Sequence, residues 1–212
     1  GMHRYMPNAG YPETRAAVAA QLSKEAGREF SAHHIVMTCG AGGALNVLMR
    51  TLLDPGDEVV IFAPYFVEYI FYADNHGAAC TVVPPRDDFL PDLRALEDAI
   101  GPRTRIVLIS SPNNPTGVVY PRETLEGLGE TIRKRERELG TEVFLVSDEP
   151  YRRILFDGIE YPQVFEHHSR SVVATSHSKD LALPGERIGF IAVNPEYDGC
   201  SELVDGLTFS NR

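Results

Sequence analysis

Residues 171–193 read SVVATSHSKDLALPGERIGFIAV. Two short apolar runs, VVATS and GFIAV, enclose a polar loop, and runs of this length read as buried strands. The loop brings Ser176, His177, Ser178 and Lys179 to the carboxyl end of the first strand, where open α/β sheets place ligands. Arg187 follows just before the second run. A lysine amine condenses with an aldehyde, more readily when partial burial or a neighbouring cation lowers its pKa, and the expected setting of Lys179 supplies this. Serine, lysine and a planar guanidinium together suit an aldehyde that also carries a phosphate.

The same alternation extends through the chain. Residues 1–12, with Tyr5 among their aromatics, mix Pro, Gly and Asn and read as an irregular lead-in. A helix is predicted from Pro12 to about Ala26, with Pro12 in its first turn and Gly27 as its stop. HIVMT is a short strand running into CGAGGALNVLMRTLLDPGD, which reads as strand, glycine turn and amphipathic helix from about Ala41 to Leu53. Backbone amides at such a helix start are unpaired, and Gly40 and Gly42 let an anion approach them. The turn matches neither the dinucleotide fingerprint nor the P-loop, which disfavours a nucleotide-binding domain.

Further strands are expected in EVVIFAPYF, ACTVVP, TRIVLIS, EVFLVSD, SVVATS and RIGFIAV, with helices near Tyr69–Asn75, in FLPDLRALEDAI and in the charged, mostly solvated RETLEGLGETIRKRERELG. Seven strands alternating with helices predict an α/β three-layer sandwich around a mainly parallel sheet. Polar candidates gather at the strand carboxyl ends: the Gly40–Gly43 turn, Phe66, Asn114, Asp148, and Ser176 with Lys179.

Composition sets the limits. The 212 residues are 43% hydrophobic, ordinary for a soluble globular protein, and no run approaches a membrane span. A formal charge of −10 argues against nucleic-acid or anionic-membrane partners. Three widely spaced cysteines suggest neither a disulfide framework nor a zinc site, and point to a cytoplasmic setting. The pairs His33-His34 and His167-His168 lack metal-site spacing and read as polar loop residues; no metal is expected.

An aromatic aldehyde bearing a phosphate is pyridoxal 5'-phosphate, and the remaining candidates suit its ring. A carboxylate such as Asp148 at the pyridine nitrogen would keep the ring protonated and electron-accepting. Tyr151 and Asn114 could hydrogen-bond the phenolic oxygen, and Phe66 could stack on the ring. Each assignment alone competes with an ordinary structural role.

The motifs YMPNAGYPETR, SSPNNPTG, SDEPY and SHSK followed by LPGERIGF, in that order, resemble those of the fold-type I pyridoxal-phosphate aminotransferases, classes I and II, over nearly the whole chain. The resemblance implies that Lys179 forms the Schiff base with the cofactor and later shuttles the substrate Cα proton, and that Asp148 pairs with the pyridine nitrogen. It implies that Tyr151 and Asn114 meet the phenolic oxygen and Phe66 stacks on the ring. Ser176, Arg187 and the amides of Ala41 and Gly42 would hold the phosphate. Tyr5 matches a tyrosine that reaches the phosphate of the neighbouring subunit, so a homodimer is implied.

Family members are longer than this chain. The resemblance maps residues 13–200 onto the cofactor-binding large domain, and leaves 201–212 as a tail where a small domain would begin. The family's arginine for the substrate α-carboxylate belongs to that small domain and has no match here. The expected reaction is transfer of an amino group between an amino acid and a 2-keto acid. A lyase or decarboxylase on the same scaffold, or a cofactor-binding but catalytically incomplete fragment, is the alternative.

Overall fold

Each of the seven apolar runs forms a strand in the computed structural model, which describes residues 5–212: β1 Ile35–Cys39, β2 Glu58–Phe62, β3 Ala79–Val83, β4 Thr104–Ser110, β5 Phe144–Asp148, β6 Ser171–Ser176 and β7 Ile188–Val193. They build one sheet in the order β1-β7-β6-β5-β4-β2-β3. The pairs among β3, β2, β4, β5 and β6 are parallel, while β7 runs antiparallel to both β6 and β1. The connection after β6 is a loop rather than a helical crossover, so β7 begins at the edge where β6 ends. Because β1 is in turn antiparallel to β7, its carboxyl end returns to that edge, with Cys39 opposite Ile188.

Alternation along the strands creates two cores. Val36, Ile61, Val146, Ala174 and Ile191 face a layer formed by α2 (Gly40–Leu52), α3 (Glu68–Asp74) and α6 (Cys200–Ser210). Their neighbours Ile35, Val60, Leu145, Val173 and Ala192 face α1 (Pro12–Ala26), α4 (Leu93–Ala99) and α5 (Arg122–Leu139). Strands with both faces covered lose their polar alternation, which is why they read as continuous apolar runs.

Local signals place the helix ends. Pro12 opens α1 and Gly27 closes it at φ 63°, while the Asp92 carboxylate caps α4 by accepting from the amides of Arg94 and Ala95. The α5 helix is charged overall yet keeps Leu125, Leu128 and Ile132 buried in the second core. Among the described residues, no helix is long and apolar enough to cross a membrane.

One expectation needs correction and another a refinement. Residues 201–212 are not a tail: most of them belong to α6, whose Leu203, Val204 and Leu207 recur at helical spacing and are buried in the first core. His167 and His168 do lie in a loop, but they are buried in it. Two polar groups of His168 find partners inside. His168 Nε2 lies 3.0 Å from the Val143 carbonyl, and the buried Asn194 amide donates to the His168 carbonyl.

Backbone segments also meet closely at the ligand-bearing edge. A Cβ added at Gly189 would lie 2.6 Å from both the Gly40 carbonyl carbon and the Thr175 oxygen, so only glycine permits this meeting of β7, β6 and the start of α2.

Candidate active site

A cavity of about 390 Å³ opens at the carboxyl edge of the sheet. Its lining includes Ala41, Gly42, Phe66 and Asn114, together with Asp148, Tyr151, Ser176, Lys179 and Arg187. Gly40 adjoins it through Arg187, whose Nη2 would be 2.9 Å from a Cβ at that position. Of the expected site residues Tyr5 alone stands apart: it is fully exposed and absent from the cavity lining.

The end of the cavity at α2 is built for an anion. Cys39, at the N-cap, contributes no side-chain hydrogen bond, which leaves the first amides of the helix without a capping side chain. Gly40 adopts φ +71°, a left-handed conformation natural to glycine, and the Arg187 guanidinium lies over it. Ser176, the last residue of β6, adds a buried hydroxyl. Arg187 itself is left-handed at φ 51° and donates through Nη1 to the Pro184 carbonyl, 3.0 Å away.

At the centre of the sheet, Asp148 ends β5 and is buried. Its Oδ2 accepts a 2.6 Å hydrogen bond from the Tyr69 hydroxyl, whereas Oδ1 has no partner among the described residues. Burial pushes the Asp148 carboxyl up to about 6, and the Tyr69 hydrogen bond works in the opposite direction. Burial and the neighbouring carboxylate push the Tyr69 hydroxyl well above its ordinary range, so it remains a donor. An orphaned carboxylate oxygen beside a cavity calls for a cationic N–H, which a protonated pyridine nitrogen supplies.

The two asparagines of SSPNNPTG separate by task. Asn113 is buried and structural: its amide donates to the Pro64 carbonyl and its oxygen accepts from Thr116. Asn114 is the one that lines the cavity. Phe66 is half-buried, edge-on to Tyr69 with ring centroids 5.7 Å apart, and so presents an aromatic surface beside the Asp148 carboxyl.

Lys179 departs from expectation in one respect. It is exposed rather than partly buried, because residues 181–188 also lie on the surface; its amine sits 5.8 Å from the centre of the Tyr151 ring. Four further residues were not singled out from the sequence. Tyr69 holds Asp148, the Ser110 hydroxyl is buried beside the cavity with no partner among the described residues, and Glu68 and Tyr72 line the mouth with the Tyr72 hydroxyl bonded to the Glu68 carboxylate. Tyr69 lies one helical turn after Phe66, a weak signal among nine tyrosines.

A family model described as aminotransferase class I and II matches residues 1–211. The chain belongs to this family. Its members depend on pyridoxal phosphate. Among curated relatives of these aminotransferases, the chain is 38% identical over 192 residues to a probable aspartate/prephenate aminotransferase of Thermus aquaticus, covering 90% of this chain and 49% of that protein. It is 32% identical to a probable aspartate aminotransferase of Methanocaldococcus jannaschii, over 98% of this chain and 53% of the relative. The fold superimposes on an aminotransferase from Eubacterium rectale with a TM-score of 0.95 at 40% identity, over 98% of this chain and 53% of that one. The aspartate aminotransferase of Thermus thermophilus with maleate gives 0.88 at 32% identity, over 98% of this chain and 52% of that one. The chain thus spans about half the length of the curated relatives it matches.

Proposed function

We propose that the chain is the cofactor-holding domain of a pyridoxal-phosphate-dependent aminotransferase, one that moves an amino group between an amino acid and a 2-keto acid. The observation that carries this reading is the partnerless Oδ1 of buried Asp148, in one cavity with Lys179, Arg187 and an uncapped helix start. When bound, the cofactor supplies an electron-accepting ring. Asp148 Oδ1 would hold the proton on the ring nitrogen, oriented by Tyr69. Asn114 and Tyr151 would donate to the ring oxygen, and Phe66 would lie against the ring face. The amides of Ala41 and Gly42, the Ser176 hydroxyl and the Arg187 guanidinium would anchor the phosphate, with Gly40 allowing close approach. Lys179 Nζ would bond the aldehyde carbon and, once released, take the substrate Cα proton and return it.

On this reading residues 13–200 are the cofactor-binding domain, and Tyr5 completes the phosphate site of a neighbouring subunit in a homodimer. Full exposure of Tyr5 supports that role. The free thiols of Cys39, Cys80 and Cys200 suit a reducing, cytoplasmic compartment.

Titration with pyridoxal phosphate tests the reading. A new visible band, a borohydride-trapped adduct mapped to Lys179, and loss of both in Lys179→Ala are expected. Absence of band and adduct at saturating cofactor overturns it. Addition of amino acids to the loaded chain then separates turnover, seen as loss of the band, from a holder of cofactor alone.

A further inference from the structure

Lys179 stands in an exposed loop, yet the residue after it does not behave as a surface residue. The Asp180 side chain is only 9% exposed. One of its oxygens accepts from the Leu181 amide at 2.8 Å; the other lies 3.1 Å from both Arg153 Nη1 and His177 Nδ1. Arg153 reaches in the other direction as well, donating through Nη2 to Glu25 Oε1 at 2.7 Å in the last turn of α1. Glu25 Oε2 binds Arg152 Nη2 at 3.0 Å, and Arg152 Nη1 comes within 4.0 Å of Glu149. Glu149 is wholly buried and follows Asp148 directly. A line of ion pairs from Arg152 through Glu25 and Arg153 to Asp180, approaching Glu149 at 4.0 Å, therefore runs from beside Asp148 to the neighbour of Lys179.

An isolated surface pair of this kind contributes little, about 0–1 kcal/mol. This one is different in connection and burial: Arg152 is 8% exposed, and each middle member of the line contacts two partners of opposite charge. The line also crosses three segments, α1, the turn after β5 and the loop after β6. Backbone bonds also hold the loop: His177 N to the Ile188 carbonyl and Leu183 N to the His177 carbonyl lie away from the peptide between Lys179 and Asp180, while Ala182 N donates to the Lys179 carbonyl at 3.3 Å and ties that peptide only to its own loop. With the Lys179 side chain in solvent, the place its amine can reach depends mainly on where this peptide is fixed.

We propose that Asp180, tied through Arg153 to Glu25, is a positioning residue that aims Lys179 at the aldehyde carbon of the cofactor. The inference rests on the assignment of Lys179 above. In the step concerned, Lys179 nitrogen and the aldehyde carbon form a C=N bond, the carbon–oxygen bond breaks, and the oxygen leaves as water with the two amine protons. The brace acts on this step and leaves phosphate anchoring alone.

Two ligands separate these effects in the full chain. Pyridoxal phosphate reports bond formation by stopped-flow absorbance. Pyridoxamine phosphate, which has an amine in place of the aldehyde, reports anchoring alone. In Asp180→Asn and in Arg153→Met, bond formation is expected to slow about tenfold, with the pyridoxamine phosphate Kd within about twofold of wild type. The double variant should be no slower than the slower single one, as for two residues of one unit. Should either variant fail to fold by circular dichroism, Arg153→Lys takes its place: it keeps the charge but lacks the fork that spans Glu25 and Asp180, and is expected to slow the bond. Wild-type rates in the folded variants overturn the proposal, as does an equal loss of pyridoxamine phosphate affinity. A wild-type chain that forms no bond with Lys179 overturns this inference and the functional reading together. A wild-type chain that bonds, with variants that bond equally fast, removes the brace alone.

Discussion

The Tyr69 hydroxyl donates to Asp148 Oδ2 at 2.6 Å and turns the carboxylate so that its other oxygen, Oδ1, is left for a ligand. Both side chains are buried, the tyrosine on α3 and the aspartate at the end of β5. The contact thus ties the orientation of the acid to the segment that also bears Phe66.

Tyr69→Phe should keep the fold, because the ring still fills its place, while the acid loses its donor. A hydrogen bond to a charged group contributes about 1.5–3 kcal/mol, so cofactor affinity is expected to fall about tenfold or more. Absorbance titration with pyridoxal phosphate measures it. Unchanged affinity would mean that Asp148 needs no orienting partner.

Asp148 and Glu149 give the ligand-free chain a pH dependence of definite sign. Burial raises the first to about 6 and the second to about 7, although Tyr69 opposes it for Asp148 and Arg152 and Tyr161 for Glu149. The folded state therefore binds protons that the unfolded chain has already released, and stability falls as pH rises from about 4 through 6 to 7. Above the folded values the loss is complete and levels off. In thermal melts between pH 4.5 and 7.5, Asp148→Asn should show a smaller fall than wild type over the lower part of this range. Identical slopes would place the carboxyl in its ordinary range. Cofactor should stabilise most near neutral pH, where an ionised Asp148 can pair with a cationic ring nitrogen.

Gly40→Ala tests the anion end. The new Cβ would take a left-handed backbone and press within 2.9 Å of Arg187 Nη2, so the guanidinium has to move. Affinity for pyridoxal phosphate should drop about tenfold, while pyridoxal, lacking the phosphate, loses little. Arg187→Ala should give the same contrast without backbone strain. Equal losses for both ligands would show that the turn serves the ring and not the phosphate.

The frame was legible because its strands are buried on both faces and so read as apolar runs, and because Pro12, Gly27 and the glycines after β1 punctuate the helices. That Asp148, Asn114 and Ser176 meet in one cavity was legible for the same reason: a strand fixes where its last residues, and the loop that leaves it, lie. Tyr69 was not, since nothing in a tyrosine on a short helix announces which of several buried partners it will meet. Glu149 was not singled out, since nothing in an acid that follows a strand announces that it will be buried, and α6 was hidden because Gly206 and the acids of CSELVDGLTFS dilute its apolar stripe. The exposure of Lys179 depends on how a long loop lies, which composition does not encode.

The close approach at Gly189 has a further effect on how a ligand is received. Where three main-chain segments touch with no room for a methyl group, the framework has no slack to take up. Adjustment on binding is then left to side chains and to the loop from His177 to Glu186, so the entropy of ordering falls mostly on that short span while the glycine turn at the start of α2 enters the encounter already shaped.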